Sequence, residues 1–339
     1  MSVVFHHALH RKASGMVSDV AQDILQIDTE PLGHGQLISS YLVRGSKKTA
    51  LIDPGFPASF DTVAKGISQT GVAPEDLDYI ILTHTHFDHA GAAGQFIQIA
   101  SNAQAAVHPR GVFYLKNGAK ISGGARMVFG AGLSDRLGET IDVPGDRIMP
   151  VSDGQSIDLG DLSVTVRYTP GHSGDHLSLV EENSATLFPG DMACLHYPEL
   201  GHVLIPAGSP PIYRTDQVVE GLQRFLKLNV QRILTPHFGE APLEPSAFLS
   251  KNIEAVVGWR GRIEKLFSQG LEFPQVVEKM RAGIIDDSGM RESAAPGFLA
   301  DVWLRVMLKT GLMGYMADIL QYARDLRPFH ENTPDEEVA

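Results

Sequence analysis

The sequence predicts an α/β fold, and two observations predict it. Short apolar runs repeatedly end in a turn that delivers a His or Asp, and the first of them passes directly into small residues that open a helix. That first run, Tyr79-Ile80-Ile81-Leu82, reads as a buried strand, and Ala90-Gly91-Ala92-Ala93-Gly94 begins a helix able to press closely on a sheet. Between them lies Thr83-His84-Thr85-His86-Phe87-Asp88-His89, where three imidazoles and a carboxylate are packed together. Open α/β sheets bind ligands at such strand ends. In extended chain, residues two apart point the same way, so His84 and His86 can grip one ion from one side. Asp88 and His89 follow on the turn, aimed at a second. Hydrolytic metal pairs lie about 3.5 to 4 Å apart, which is within the reach of this block.

Four ligands cannot complete two sites, and the rest of the chain supplies more. The alternating strand Leu162-Ser163-Val164-Thr165-Val166-Arg167 leads into Tyr168-Thr169-Pro170-Gly171-His172. Leu187-Phe188 leads into Pro189-Gly190-Asp191, and Ile233-Leu234-Thr235 into Pro236-His237. Each strand ends in a Pro or Gly turn that presents a His or Asp. His84, His86, Asp88, His89, His172, Asp191 and His237 are then enough for two metal sites sharing a bridge. Nitrogen and oxygen donors suit zinc, with manganese or iron also compatible.

With its H-x-H-x-D-H, Gly-His, Gly-Asp and late His in order over roughly residues 23 to 240, the chain resembles the metallo-β-lactamase superfamily. The resemblance implies an αββα sandwich, two mixed sheets packed face to face with helices outside. It implies one metal held by His84, His86 and His172, a second by Asp88, His89 and His237, and Asp191 as the bridge. Leu51-Ile52-Asp53-Pro54-Gly55 looks like the family's first strand-end motif, with Asp53 orienting a ligand imidazole. Asp-Pro-Gly is also a turn signal in its own right. A sandwich followed by a helical tail, with Tyr197-Pro198-Glu199-Leu200-Gly201 in a loop, further resembles the ST-type subgroup of hydrolases with this fold.

Composition narrows the function classes. A net charge of −12 leaves no general electrostatic footprint for nucleic acid, which disfavours the superfamily's nucleases. No run approaches the roughly 20 apolar residues of a membrane span, and the N-terminus lacks a secretory pattern. With Cys194 the only cysteine, no disulfide can form within the chain, which fits a cytoplasmic location. Cys194 lies close to Asp191; a thiolate ligand is conceivable there, but the residue reads as a small buried hydrophobe. His176 and His196 are near enough to ligands to support them. His34, His108 and His202 have no such context, and His6, His7 and His10 belong to a solvated terminus.

The expected organisation is an N-terminal segment 1–22, a catalytic domain 23–244, a helical extension 245–330 and an acidic tail 331–339. Residues 110–139, with Phe113, Tyr114, Met127, Val128 and Phe129, look helical and able to wall the site. The extension reads as helices from Pro245, from Pro274 to Ala282 and from Pro296 to Leu326. The last carries Leu299, Val302, Trp303, Val306, Met307, Leu312, Met313, Met316 and Leu320, an apolar load that needs the sandwich or a second copy as cover.

The chemistry expected is that of a zinc-dependent hydrolase with two zinc ions per chain and a metal-bridging hydroxide as nucleophile, acting on a small ester, lactone, thioester or amide. The resemblance also implies that Asp88 helps to move a proton. Tyr197, in a Pro-rich loop soon after the bridge, either donates to a developing oxyanion or simply packs its loop. Gly171-His172-Ser173-Gly174-Asp175 misses the G-x-S-x-G spacing by one residue, which sets serine hydrolase chemistry aside. The alternatives are a mononuclear iron dioxygenase acting on thiols or persulfides, and a metal-containing sensor without turnover.

Overall fold

The computed structural model describes residues 16–201, 203–289 and 297–325. Strands β1 (Val17–Ala21), β2 (Ile24–Asp28), β3 (Ser39–Arg44) and β4 (Thr49–Ile52) run successively antiparallel. Helix α1 (Phe60–Gln69) then crosses over to β5 (Tyr79–Ile81), and α2 (Phe87–Ala90) with α3 (Ala93–Ile99) leads to β6 (Gln104–Val107). Helices α4 (Val112–Leu115), α5 (Gly118–Phe129) and α6 (Ala131–Leu137) separate β6 from β7 (Ile148–Pro150). β4 to β7 pair in parallel, and the seven strands stand in sequence order. The sheet thus begins with β1, inside the segment that the sequence reading set apart before residue 23.

The second sheet starts as a meander of β8 (Ser156–Asp158), β9 (Ser163–Tyr168), β10 (Leu177–Glu181) and β11 (Thr186–Phe188). Helix α7 (Thr215–Phe225) carries the chain to β12 (Arg232–Thr235), parallel to β11, and β13 (Gly239–Glu240) closes the edge. Both sheets are therefore mixed, and side-chain alternation assigns their two faces. Tyr41, Val43, Ala50, Ile52, Ile81 and Ala106 pack with Val164, Val166, Leu177, Leu179, Phe188 and Leu234 between the sheets. Leu42, Leu51, Ile80, Ala105, Leu187 and Ile233 point the opposite way, into the larger core shared with the helices. A strand buried on both faces must be apolar at consecutive positions, which is why these runs lack polar alternation.

After the sandwich come α8 (Pro245–Ser268), α9 (Phe273–Ser288) and α10 (Leu304–Asp325), the last entered through a π-helical turn, Leu299–Trp303. Pro245 stands in the first turn of α8, where a missing N–H costs nothing. α9 extends beyond both expected ends because a capping box joins Glu272 and Gln275, while left-handed Gly289 stops it. Pro296 and Leu326, the expected ends of the third helix, lie outside the described residues. Leu299, Trp303, Leu304, Met307, Leu308, Leu312 and Tyr315 join the main core, so most of the apolar load is covered within the chain. Val302 and Leu320 remain exposed. Among the described residues, no helix is long and apolar enough to cross a membrane.

Candidate metal centre

Every one of the seven expected side chains comes to the same edge of the sandwich. His84 and His86 lie in the irregular stretch after β5, and Asp88 and His89 stand on the first turn of α2 rather than on a free turn. His172, Asp191 and His237 follow β9, β11 and β12 of the other sheet. Nδ1 of His86 lies 2.8 Å from Nε2 of His84 and 2.8 Å from Nε2 of His172. Nε2 of His237 lies 3.5 Å from Oδ2 of Asp88, and Nε2 of His89 lies 3.8 Å from that same oxygen. Asp191 stands between the two groups, with Oδ1 3.4 Å from Nε2 of both His89 and His237 and Oδ2 3.5 Å from Nε2 of His172.

Three sets of converging donors result: His84, His86 and His172; Asp88, His89 and His237; and His84, His89 and Asp191. Whether they suit a cation can be judged from what the protein leaves unmet. Nε2 of His89, Nε2 of His237 and Oδ1 of Asp191 are buried with no hydrogen-bond partner, and all converge on one space. Buried polar atoms are nearly always satisfied, so such a group marks a place for an absent partner. Only nitrogen and carboxylate oxygen face it, which is the donor chemistry of zinc and its borderline neighbours.

Electrostatics agree. Burial pushes the imidazoles of His84 and His172 well below their usual range and lowers that of His86, leaving them neutral and able to donate a lone pair. For His89, burial acts in the same direction, but Asp191, Asp88 and Asp53 outweigh it and raise the ring well above its usual range. Asp191 would be raised by burial, yet His89, His237 and His172 hold it well below the ordinary carboxylate range. The pocket thus stabilises positive charge beside its carboxylates.

Supporting residues fix these orientations. Asp53, a left-handed residue after β4, accepts from Thr83 N at 2.8 Å, Thr83 Oγ1 at 2.6 Å and His89 Nδ1 at 2.9 Å. It therefore turns Nε2 of His89 inward. The Ala207 carbonyl does the same for His172, accepting from Nδ1 at 2.6 Å. His176 receives the backbone N–H of Asp191 on Nε2 at 3.0 Å and meets Thr169 Oγ1 through Nδ1 at 2.9 Å. His196 is buried beside His237, taking its carbonyl through the backbone N–H at 2.7 Å.

Sequence reasoning missed Asp175, which accepts from Thr85 N and Oγ1 at 3.0 and 2.6 Å and latches the first motif to the His172 loop. Its position just after Gly171-His172-Ser173 was the available signal. Tyr197 is fully buried, edge-on to His237 at 6.4 Å, and its hydroxyl accepts from the Trp303 indole at 3.0 Å. Cys194 is a buried core residue outside every converging donor set, and burial pushes its thiol up. His34 stacks on Phe298 at 3.7 Å, and His108 accepts from Arg110 N. His6, His7, His10 and His202 lie outside the described residues.

Residues 35–237, more than half of the chain, match the family model described as the metallo-beta-lactamase superfamily. The chain belongs to this superfamily. A probable metallo-hydrolase of Methanocaldococcus jannaschii, MJ0888, is 33% identical over 159 residues, covering 47% of this chain and 68% of that protein. The metallo-beta-lactamase fold-containing protein ST1585 of Sulfurisphaera tokodaii is 28% identical over 223 residues, covering 63% and 77%. Its crystal structure superposes with a TM-score of 0.63 at 23% identity, covering 86% of this chain and 98% of that one, and thereby shares the fold, helices included. The human acyl-coenzyme A thioesterase MBLAC2 is 30% identical over 177 residues, 47% of this chain and 59% of that protein. The superfamily to which the chain belongs is thus one of metallo-hydrolases.

Proposed function

We propose that this chain is a dinuclear metal-dependent hydrolase of a small ester, lactone, thioester or amide. In this reading His84, His86 and His172 hold one zinc ion, Asp88, His89 and His237 hold a second, and Asp191 bridges them. The observation that carries it is the Asp191 carboxylate, whose two oxygens face opposite nitrogen groups at 3.4 and 3.5 Å. Two ions bound there would supply Lewis-acid activation of water and of a substrate carbonyl at neutral pH.

The protein's own contribution is orientation and proton handling. Asp53 and the Ala207 carbonyl keep the Nδ1 protons of His89 and His172 facing away from the centre. Asp88 has the carboxylate at the edge of the site able to take up a proton released by water. Tyr197 already accepts a hydrogen bond from Trp303, which leaves its own O–H to be donated, and in this reading it donates to oxygen of the substrate. His86 is the half-buried ligand while the other imidazoles are buried, so in this reading substrate approaches from its side. Thioesters deserve early testing because one relative is named an acyl-coenzyme A thioesterase. Self-association, if it occurs, has Val302 and Leu320 as exposed apolar residues on the extension.

Elemental analysis of the purified protein, beside Asp191→Ala, tests the reading. Near two zinc ions per chain, reduced in the variant, with metal-dependent turnover in a panel of esters, lactones, thioesters and amides, is expected. One iron per chain, or a fully loaded protein inert toward the whole panel, would overturn it.

A further inference from the structure

One close backbone contact near the centre is made by a helix that contributes no ligand. α10 carries Gly311 and Gly314 one turn apart, both buried, and lays them on the loop around Gly208. A Cβ on Gly208 would meet the Gly311 carbonyl oxygen at 2.5 Å and its Cα at 3.0 Å. A Cβ on Gly314 would strike the Ser209 backbone nitrogen and stand 2.9 Å from the Gly208 carbonyl carbon. Helix and loop therefore meet backbone to backbone. Gly311 itself is less constrained, since its Cβ would lie 3.6 Å from the Pro206 oxygen, an ordinary contact.

The same short loop reaches two candidate ligands. Its Ala207 carbonyl takes the Nδ1 proton of His172 at 2.6 Å, and its Ser209 hydroxyl lies 3.4 Å from Nε2 of His86. His89, in contrast, is oriented by Asp53 from the end of β4. The two halves of the centre thus lean on different parts of the fold.

We propose that α10 is a positioning element for one of the two metal sites. Contact of Gly314 with the loop sets the Ala207 carbonyl, which orients His172. The helix thereby tunes affinity at the His84, His86 and His172 site and leaves the Asp88, His89 and His237 site unaffected. The inference rests on the two-site ligand assignment proposed above.

Zinc titration of the full chain against a chromophoric chelator tests it, with thermal melting of the metal-free proteins as a check on folding. The native chain takes up two ions. In Gly314→Ala one site weakens by about 10- to 100-fold, the range typical when a partner of a ligand is disturbed, and the other is unchanged. His172→Ala identifies the weakened site as the same one. Gly311→Ala, which makes a similar helix-propensity gain one turn away, binds both ions as the native chain does. Should Gly314→Ala fail to fold, Gly208→Ala interrogates the same contact from the loop side. Native affinities at both sites in a folded Gly314→Ala, equal weakening of both sites, or the same selective loss in Gly311→Ala would overturn the inference alone. A native chain that takes up fewer than two ions would overturn the ligand assignment together with it.

Discussion

Asp53→Asn should separate the stability of the fold from the affinity of the centre. The native carboxylate is buried and accepts three hydrogen bonds, two from Thr83 and one from His89 Nδ1. An amide in its place keeps one oxygen for Thr83 N and can donate to the Thr83 hydroxyl, whose oxygen also lies 3.1 Å from His84 Nδ1. His89 then faces an N–H instead of an acceptor. Either its Nδ1 proton is stranded, or the ring changes tautomer and presents Nε2–H to the centre, where a lone pair is required. The first outcome costs about 1–3 kcal/mol of stability, the usual penalty for one orphaned buried donor. The second costs little stability but removes a ligand. Asp53→Ala strands the Thr83 N–H and His89 Nδ1–H together, and should lose about 2–6 kcal/mol on the same scale. Urea unfolding of the metal-free proteins measures the first quantity, and zinc competition measures the second. We expect a stability order of native, Asn, Ala, with zinc affinity at one site reduced about 10- to 100-fold or more already in the Asn variant. An Asn variant that binds both ions with native affinity would refute the reasoning, as would an Ala variant no less stable than Asn.

Saturating metal should stabilise the fold, because the converging donors exist only when both sheets are in place. At a free zinc concentration of a hundred times Kd the gain is about 2.7 kcal/mol per site, and a melting temperature indifferent to zinc would argue against the centre. Asp28 predicts a separate pH effect. Burial raises its carboxyl from 3.8 to about 6 despite hydrogen bonds from Gln36 N and Glu30 N. A folded-state pKa above the unfolded one contributes stability that is full below about 3.8 and is lost as pH rises through about 6. Native protein should therefore lose stability relative to Asp28→Asn across that window, and parallel profiles of the two in urea would contradict it. Trp303→Phe keeps most of the ring and deletes the donor to Tyr197. It should cost about 1 kcal/mol in unfolding experiments for the lost hydrogen bond, with a further loss for the space the smaller ring leaves in the core, and reduce turnover if the tyrosine contacts substrate, whereas undiminished turnover would leave Tyr197 as packing alone.

The converging His and Asp block could be read in the sequence because metal chemistry restricts residue type and the strand ends are marked by Pro and Gly. His84 to His89, His172, Asp191 and His237 carry that signal whatever the remainder of the chain does. The supporting contacts were less legible, for different reasons. The Ala207 carbonyl leaves no trace in residue identity, since any residue supplies one. Asp175 was visible beside Gly171-His172-Ser173, but its partner Thr85 is distant in sequence and only the sandwich brings them together. Asp88 and His89 were placed on a turn because a single turn of helix is too short to display a period. The beginning of the first sheet was missed for a related reason, since β1 carries Ser18 and Asp19 with no clear alternation of burial. The link from Trp303 to Tyr197 spans 106 positions, and nothing local announces it.

The division of the donors between two sheets has a consequence for how the molecule is made. His86 and His172 are 86 positions apart and belong to opposite halves, so neither half alone offers a complete set of donors. Closing such long loops is slow compared with forming local turns. The converging donor sets therefore exist only once the second sheet has docked, and a nascent chain has no finished cage before then. On the ligand assignment proposed above, metal capture would be a seal on a completed product, rewarding only chains whose halves have found each other.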